Sequence, residues 1–71
     1  MPRKLRELKA DLRRVGFSEQ PGKGSHTGWR HSLLLDKLTL SGADGEDAKP
    51  YQERLVGTFL MRLRRTKESQ S

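Results

Sequence analysis

The chain has 71 residues, of which 31% are hydrophobic and 34% charged, with no cysteine and a net charge of +6. That length allows one small core and excludes a deep multi-substrate pocket, and the absent cysteines exclude disulfides and thiolate metal sites. Apolar runs such as Leu33-Leu34-Leu35 are far too short to cross a bilayer, so no membrane role and a cytoplasmic location are expected.

Charge is unevenly placed along the chain. Residues 1–31 carry eight Lys/Arg against three acids, residues 32–53 two against five, and residues 54–71 five against one. Two basic ends around an acidic middle point to a polyanionic partner, most simply nucleic acid. The plain alternative is a charge that serves solubility.

The first predicted element is a helix from Pro2 to about Val15, with Leu5, Leu8, Leu12 and Val15 at spacings of three and four. Gly16 closes it as a C-cap. Arg6, Lys9 and Arg13 form a second stripe beside the apolar one, either a basic ridge for nucleic acid or an ordinary solvated face. A short strand follows at 17–20, then turn chemistry in Pro21-Gly22-Lys23-Gly24, then a strand at 25–31. Residues 37–41 alternate as Lys-Leu-Thr-Leu-Ser, a half-buried strand. The acids Asp44, Glu46 and Asp47 are expected to cap a second helix that opens at Pro50. Its apolar face is read as Tyr51, Leu55, Phe59 and Leu63 with Val56, leaving Leu60 and Met61 off that arc. The helix should end near Arg65, so 1–65 is one domain and 66–71 a disordered tail. The fold class is α+β, a three-stranded antiparallel meander with both helices on one face and the other sheet face open.

The segment 22–31, Gly-Lys-Gly-Ser-His-Thr-Gly-Trp-Arg-His, holds both histidines and the only tryptophan. A glycine-bracketed loop exposing backbone N–H groups beside Lys23 and Arg30 suits phosphate. A histidine next to it is a candidate acid or base. Side chains alternate along a strand, and bulky Trp29 belongs on the helix side. His26 and Arg30 then fall on the open face with Lys37 and Thr39, while His31 sits with Trp29 near the core edge. A plain surface histidine is the competing reading of His26. The two histidines lie on opposite faces with no carboxylate cluster to complete a shell, so no metal site is expected.

These residues resemble the HicA (YcfA-like) family of mRNA interferase toxins from HicA–HicB toxin–antitoxin pairs. The resemblance rests on the Lys/Leu-rich first helix ending in Gly16-Phe17, on Lys23-Gly24-Ser25-His26, on Trp29 and His31, and on the Lys37-Leu38-Thr39-Leu40 strand. It runs from residue 3 to about 60, with Ser32 where the family often has proline. It implies an α-β-β-β-α double-stranded-RNA-binding-like fold, RNA cleavage, and neutralisation by a HicB-like antitoxin. The family's catalytic histidine maps onto His26. On that basis His26 is expected to act as general base in a metal-independent endoribonuclease that needs no cofactor. Lys23, Gly24, Ser25, Arg30, Arg6, Lys9 and Arg13 would hold RNA phosphates. The alternative is a non-catalytic RNA-binding module of the same fold.

Overall fold

The computed structural model describes residues 2–70, in the order α1 (Leu5–Arg14), β1 (Ser18–Pro21), β2 (His26–Arg30), β3 (Leu38–Ser41) and α2 (Pro50–Gln70). The strands form one antiparallel sheet in the order β1-β2-β3, as the α+β reading expected. Among the described residues, no helix is long and apolar enough to cross a membrane.

The first helix begins three residues later than the sequence suggests. Lys4 is extended, at φ −79° and ψ 150°, and forms an antiparallel bridge with Asp47. The N-terminal N–H groups of α1 receive no side-chain cap. Instead the Leu5 N–H donates to the Glu46 carbonyl at 2.9 Å and the Arg6 N–H to the Asp44 carbonyl at 3.1 Å. The acidic loop therefore caps the first helix and not the second, which corrects the expectation for Asp44, Glu46 and Asp47. At the other end Gly16 adopts φ +101°, the Gly16 N–H donates to the Arg13 carbonyl, and the Phe17 N–H donates to the Leu12 carbonyl. This paired closure is a Schellman motif, and Phe17 and Leu12 are both buried beside it.

The second helix supplies its own start. Pro50 occupies its first turn, where a missing N–H costs nothing. The Gln52 side chain accepts from the Lys49 N–H at 2.8 Å and donates to the Ser41 carbonyl at 2.9 Å, tying α2 to the end of β3. The buried face is Gln52, Val56, Phe59 and Leu63, with Leu55 and Leu60 half-buried. Tyr51 is 51% exposed, one step off that face, because Gln52 takes the inward position of the first turn. The helix also continues to Gln70, five residues past the expected end at Arg65 and through most of the expected disordered tail. Arg, Lys and Glu favour helix, and the Thr66 and Ser69 hydroxyls each bond back to a carbonyl four residues earlier. Ser71 lies outside the described residues.

One core joins the sheet to both helices: Leu5, Leu8 and Leu12 from α1, Trp29, Leu38 and Leu40 from the sheet, Val56, Phe59 and Leu63 from α2, with Phe17 and Ala48. Each large apolar side chain buried there contributes on the order of 1.5–3 kcal/mol. Trp29 is fully buried. Its indole N–H donates to Thr27 Oγ1 at 3.0 Å, and that hydroxyl donates to the Leu40 carbonyl at 3.3 Å. The substitution Thr27→Val keeps the shape and removes the acceptor. It should lower the unfolding free energy by about 1–3 kcal/mol in a urea titration, the cost of an orphaned buried donor. Thr27→Ser, which keeps the hydroxyl, should lose less.

Candidate functional site on the open sheet face

Cross-strand register assigns every strand residue to a face. Trp29, Leu38 and Leu40 point to the helices, so His26, Gly28 and Arg30 of β2 point away, next to Ser18 and Gln20 of β1 and Thr39 and Ser41 of β3. The only acid within the strands is Glu19, directly opposite Trp29 and therefore on the helix side, where it meets Arg13 at 2.8 Å. The open face thus carries hydroxyls, an amide, a histidine and cations.

His26 starts β2 at the mouth of a tight hairpin. Its N–H donates to the Lys23 carbonyl at 3.1 Å, and its carbonyl accepts from the Gly22 N–H at 3.0 Å. Gly24 occupies the second position of that turn at φ +59°, and no non-glycine residue has positive φ, the pattern of a type II′ turn. Gly22 is needed for close approach: a β-carbon there would stand 3.0 Å from the His26 carbonyl oxygen and 3.4 Å from His26 Cβ. The Gly22 N–H, bonded to the His26 carbonyl, is not free to meet a phosphate. The N–H groups of Lys23, Gly24 and Ser25 have no backbone partner among the described residues. The His26 side chain is exposed, with no hydrogen bond or ion pair among those residues.

His31 is engaged instead. Its Nδ1 accepts from the Leu33 N–H at 3.0 Å, which leaves Nε2 to donate to the Val15 carbonyl at 3.1 Å. Its ring packs edge-on against Phe17 with centroids 5.2 Å apart. Both nitrogens are used in structure, on the side of the sheet away from His26.

The remaining candidates divide into two groups. Lys23, Ser25 and Arg30 are exposed around the hairpin and along β2, and neither Lys23 nor Arg30 has an ion pair among the described residues. Four residues of strand put Arg30 about 13 Å from His26. Arg6, Lys9 and Arg13 belong to the helix layer and do not form a free ridge. Lys9 is buried, its side chain 6% exposed, with Nζ 2.6 Å from Asp44 Oδ1. Arg13 pairs with Glu19 and lies over the Trp29 ring at 5.2 Å. Arg6 alone of the three is exposed and unpaired among the described residues.

Two features of the face were not singled out from sequence. Gly28 is buried although it belongs to the open side, because the stem of Lys37 lies over it. A glycine in mid-strand signals close approach of another group, and that signal was present in the sequence. Beside Ser25 opens a groove of about 240 Å³ floored by Leu5 and Gln52. Its lining carries both signs of charge, Glu46 and Asp47 beside Lys49, with Asp47 paired to Lys4, whereas the sheet side of the hairpin carries cations without acids.

Among the described residues, no three His, Cys, Asp or Glu side chains converge into a set able to hold a metal ion. No protein-family model matches the chain, and no curated protein or solved structure is detectably similar to it.

The burial of Lys9 has a pH signature. Hydrogen bonding and charge attraction from Lys9 hold the Asp44 carboxyl below its ordinary value of 3.8. A folded-state value below the unfolded one adds stability above the unfolded value and loses it as pH falls through the folded one. Wild-type protein should therefore melt above Asp44→Asn at neutral pH. The gap should close as pH drops below the usual carboxylate range, read as Tm against pH by circular dichroism.

Proposed function

We propose that the protein is a metal-independent endoribonuclease of the HicA kind, acting on mRNA in the cytoplasm and neutralised by a HicB-like antitoxin protein. The observation that carries the reading is His26. It is exposed and unpartnered, on a sheet face without acids, beside a hairpin whose free N–H groups and Lys23 suit a phosphate. The helix–three strands–helix order agrees with the double-stranded-RNA-binding-like fold that the resemblance implies.

In this mechanism His26 takes the proton from an RNA 2′-OH. The O2′–P bond forms, the P–O5′ bond breaks, and the 5′ oxygen leaves with a proton from water. The products are a 2′,3′-cyclic phosphate and a 5′-OH. Lys23 and the Gly24 and Ser25 N–H groups meet the non-bridging oxygens, whose charge grows in the transition state. Arg30, farther along β2, holds the next stretch of backbone without reading sequence. RNA supplies its own nucleophile, so the protein needs only a base and fixed positive charge.

A second reading, a non-catalytic RNA-binding module, is favoured by one observation: His31 is occupied in structure, so His26 has no histidine partner to serve as acid. Labelled RNA incubated with pure protein in excess EDTA separates the two. Cleavage by wild type should fall roughly 10²–10⁴-fold in His26→Ala, the usual contribution of a positioned base. RNA that binds and stays intact with wild type sinks the enzyme reading and leaves the binding module.

A further inference from the structure

The mechanism leaves a gap on the sheet. Arg30 shares the face with His26 but stands about 13 Å away along the strand. Lys23 lies in the hairpin, on the far side of His26 from the sheet centre. Nothing in that account places a fixed cation between His26 and Arg30.

Lys37 fills this position. It immediately precedes β3, whose first residue Leu38 pairs with Trp29, so Lys37 begins at the Arg30 end of the face. The residue is exposed, yet its stem turns back along the sheet. A β-carbon at Gly28 would stand 3.2 Å from Lys37 Cδ and 3.6 Å from Lys37 Cε. The lysine stem therefore lies flat on the β2 backbone where any other residue would put a side chain. Gly28 is buried by this cover while its open-face neighbours His26, Arg30, Gln20 and Thr39 are exposed. Lysine commonly lays its methylenes along a surface and keeps the ammonium in water. Here that habit carries the charge from the Arg30 end to the level of Gly28, about 7 Å along the strand from His26. Two hydrogen bonds of roughly 3 Å each leave a span of that order within the reach of one phosphodiester. Lys37 has no ion pair among the described residues, so its charge is free for a ligand.

We infer that Lys37 is a further phosphate-contacting group of the His26 site, laid across β2 by the missing side chain at Gly28. The inference rests on the reading of His26 as the base in RNA cleavage. Lys37 acts as a fixed charge on a non-bridging oxygen and transfers no proton. Gly28 acts only through Lys37, as a positioning residue.

The test is a kinetic comparison on a fluorogenic RNA in EDTA, with folding checked by circular dichroism. Lys37→Met should lose roughly 10²-fold in kcat/KM, as for removal of one transition-state donor. Lys37→Arg, which keeps the charge, should stay within about tenfold of wild type. Gly28→Val, which displaces the stem, should lose activity. Combined with Lys37→Met it should lose no more than Lys37→Met alone, because the two act through one contact. If Gly28→Val fails to fold, Gly28→Ala serves in the same cycle, since its β-carbon alone meets Lys37 Cδ. Arg54→Met, an exposed cation on α2, should leave the rate unchanged.

A Lys37→Met rate equal to wild type, with His26→Ala inactive, overturns the inference and leaves the His26 reading intact. Equal losses in Lys37→Met and Lys37→Arg overturn it, because charge is then not the cause. Additive losses in the double variant overturn the role of Gly28. Wild-type protein that leaves RNA intact defeats the His26 reading itself, and the catalytic role of Lys37 falls with it.

Discussion

The burial of Trp29 is the constraint on which the rest of the molecule depends. A strand has two faces and a period of two, so one residue that must point inward fixes the direction of all the others. Trp29 is the largest side chain in the core and is completely enclosed. Its only polar atom is satisfied from within, by Thr27 two residues earlier on the same face, and Thr27 is in turn anchored to Leu40 on the next strand. A one-residue slip of β2 would expose the indole and turn His26 inward, toward an apolar core with no partner for it. The placement of the candidate base is thus set by packing on the opposite side of the sheet.

The same core decides which cations are available. Lys4, Lys9, Arg13 and Arg3, in or beside α1, meet Asp47, Asp44, Glu19 and Asp11. Two of these four contacts, Lys4–Asp47 and Lys9–Asp44, join segments far apart in sequence, and the loop that supplies Asp44 and Asp47 also caps α1 with its carbonyls. The acids of the chain are concentrated around the first helix and in the 42–49 loop. The open sheet face receives none of them. Part of the net charge of +6 therefore appears as unneutralised charge at Lys23, Arg30 and Lys37, where it can act at a distance on a polyanion. Exposed ion pairs of the α1 kind contribute little to stability each. The Lys9 contact is different, since that side chain is only 6% exposed and Asp44 is its one ion-pair partner among the described residues.

Strand parity, the split between His26 and His31, and the order of elements were legible in the sequence because each follows from local pattern and from one bulky residue. The Gly16 cap was legible for the same reason. What was not legible depends on contacts across the chain. Lys9 looks like part of a surface stripe at helical spacing, and only the arrival of Asp44, 35 residues later, takes it inside. Asp44 and Glu46 lie just before Pro50 and look like caps for α2, yet folding brings their carbonyls to α1. The inward turn of Gln52 in place of Tyr51 depends on an acceptor, the Ser41 carbonyl, that exists only once β3 is in place. The end of α2 was missed for a different reason. Residues 64–70 contain no apolar residue, so periodicity is silent there while helix propensity is high.

A domain of this size can enclose one core and little else, and that limits the chemistry it can host. The candidate site is a sheet surface in contact with water, where a single charge interaction is worth far less than in a closed cleft. Substrate specificity that needs a deep pocket is out of reach for such a surface. A phosphodiester whose nucleophile is built into the substrate asks for less. In the proposed reaction, binding of the RNA strand would cover the face, displace water, and bring the 2′-OH beside the phosphorus it attacks, which is proximity supplied by the substrate and not by the protein. On that proposal the protein would supply one base and several cations held in register by the sheet. Those are the groups that the burial of Trp29 turns outward.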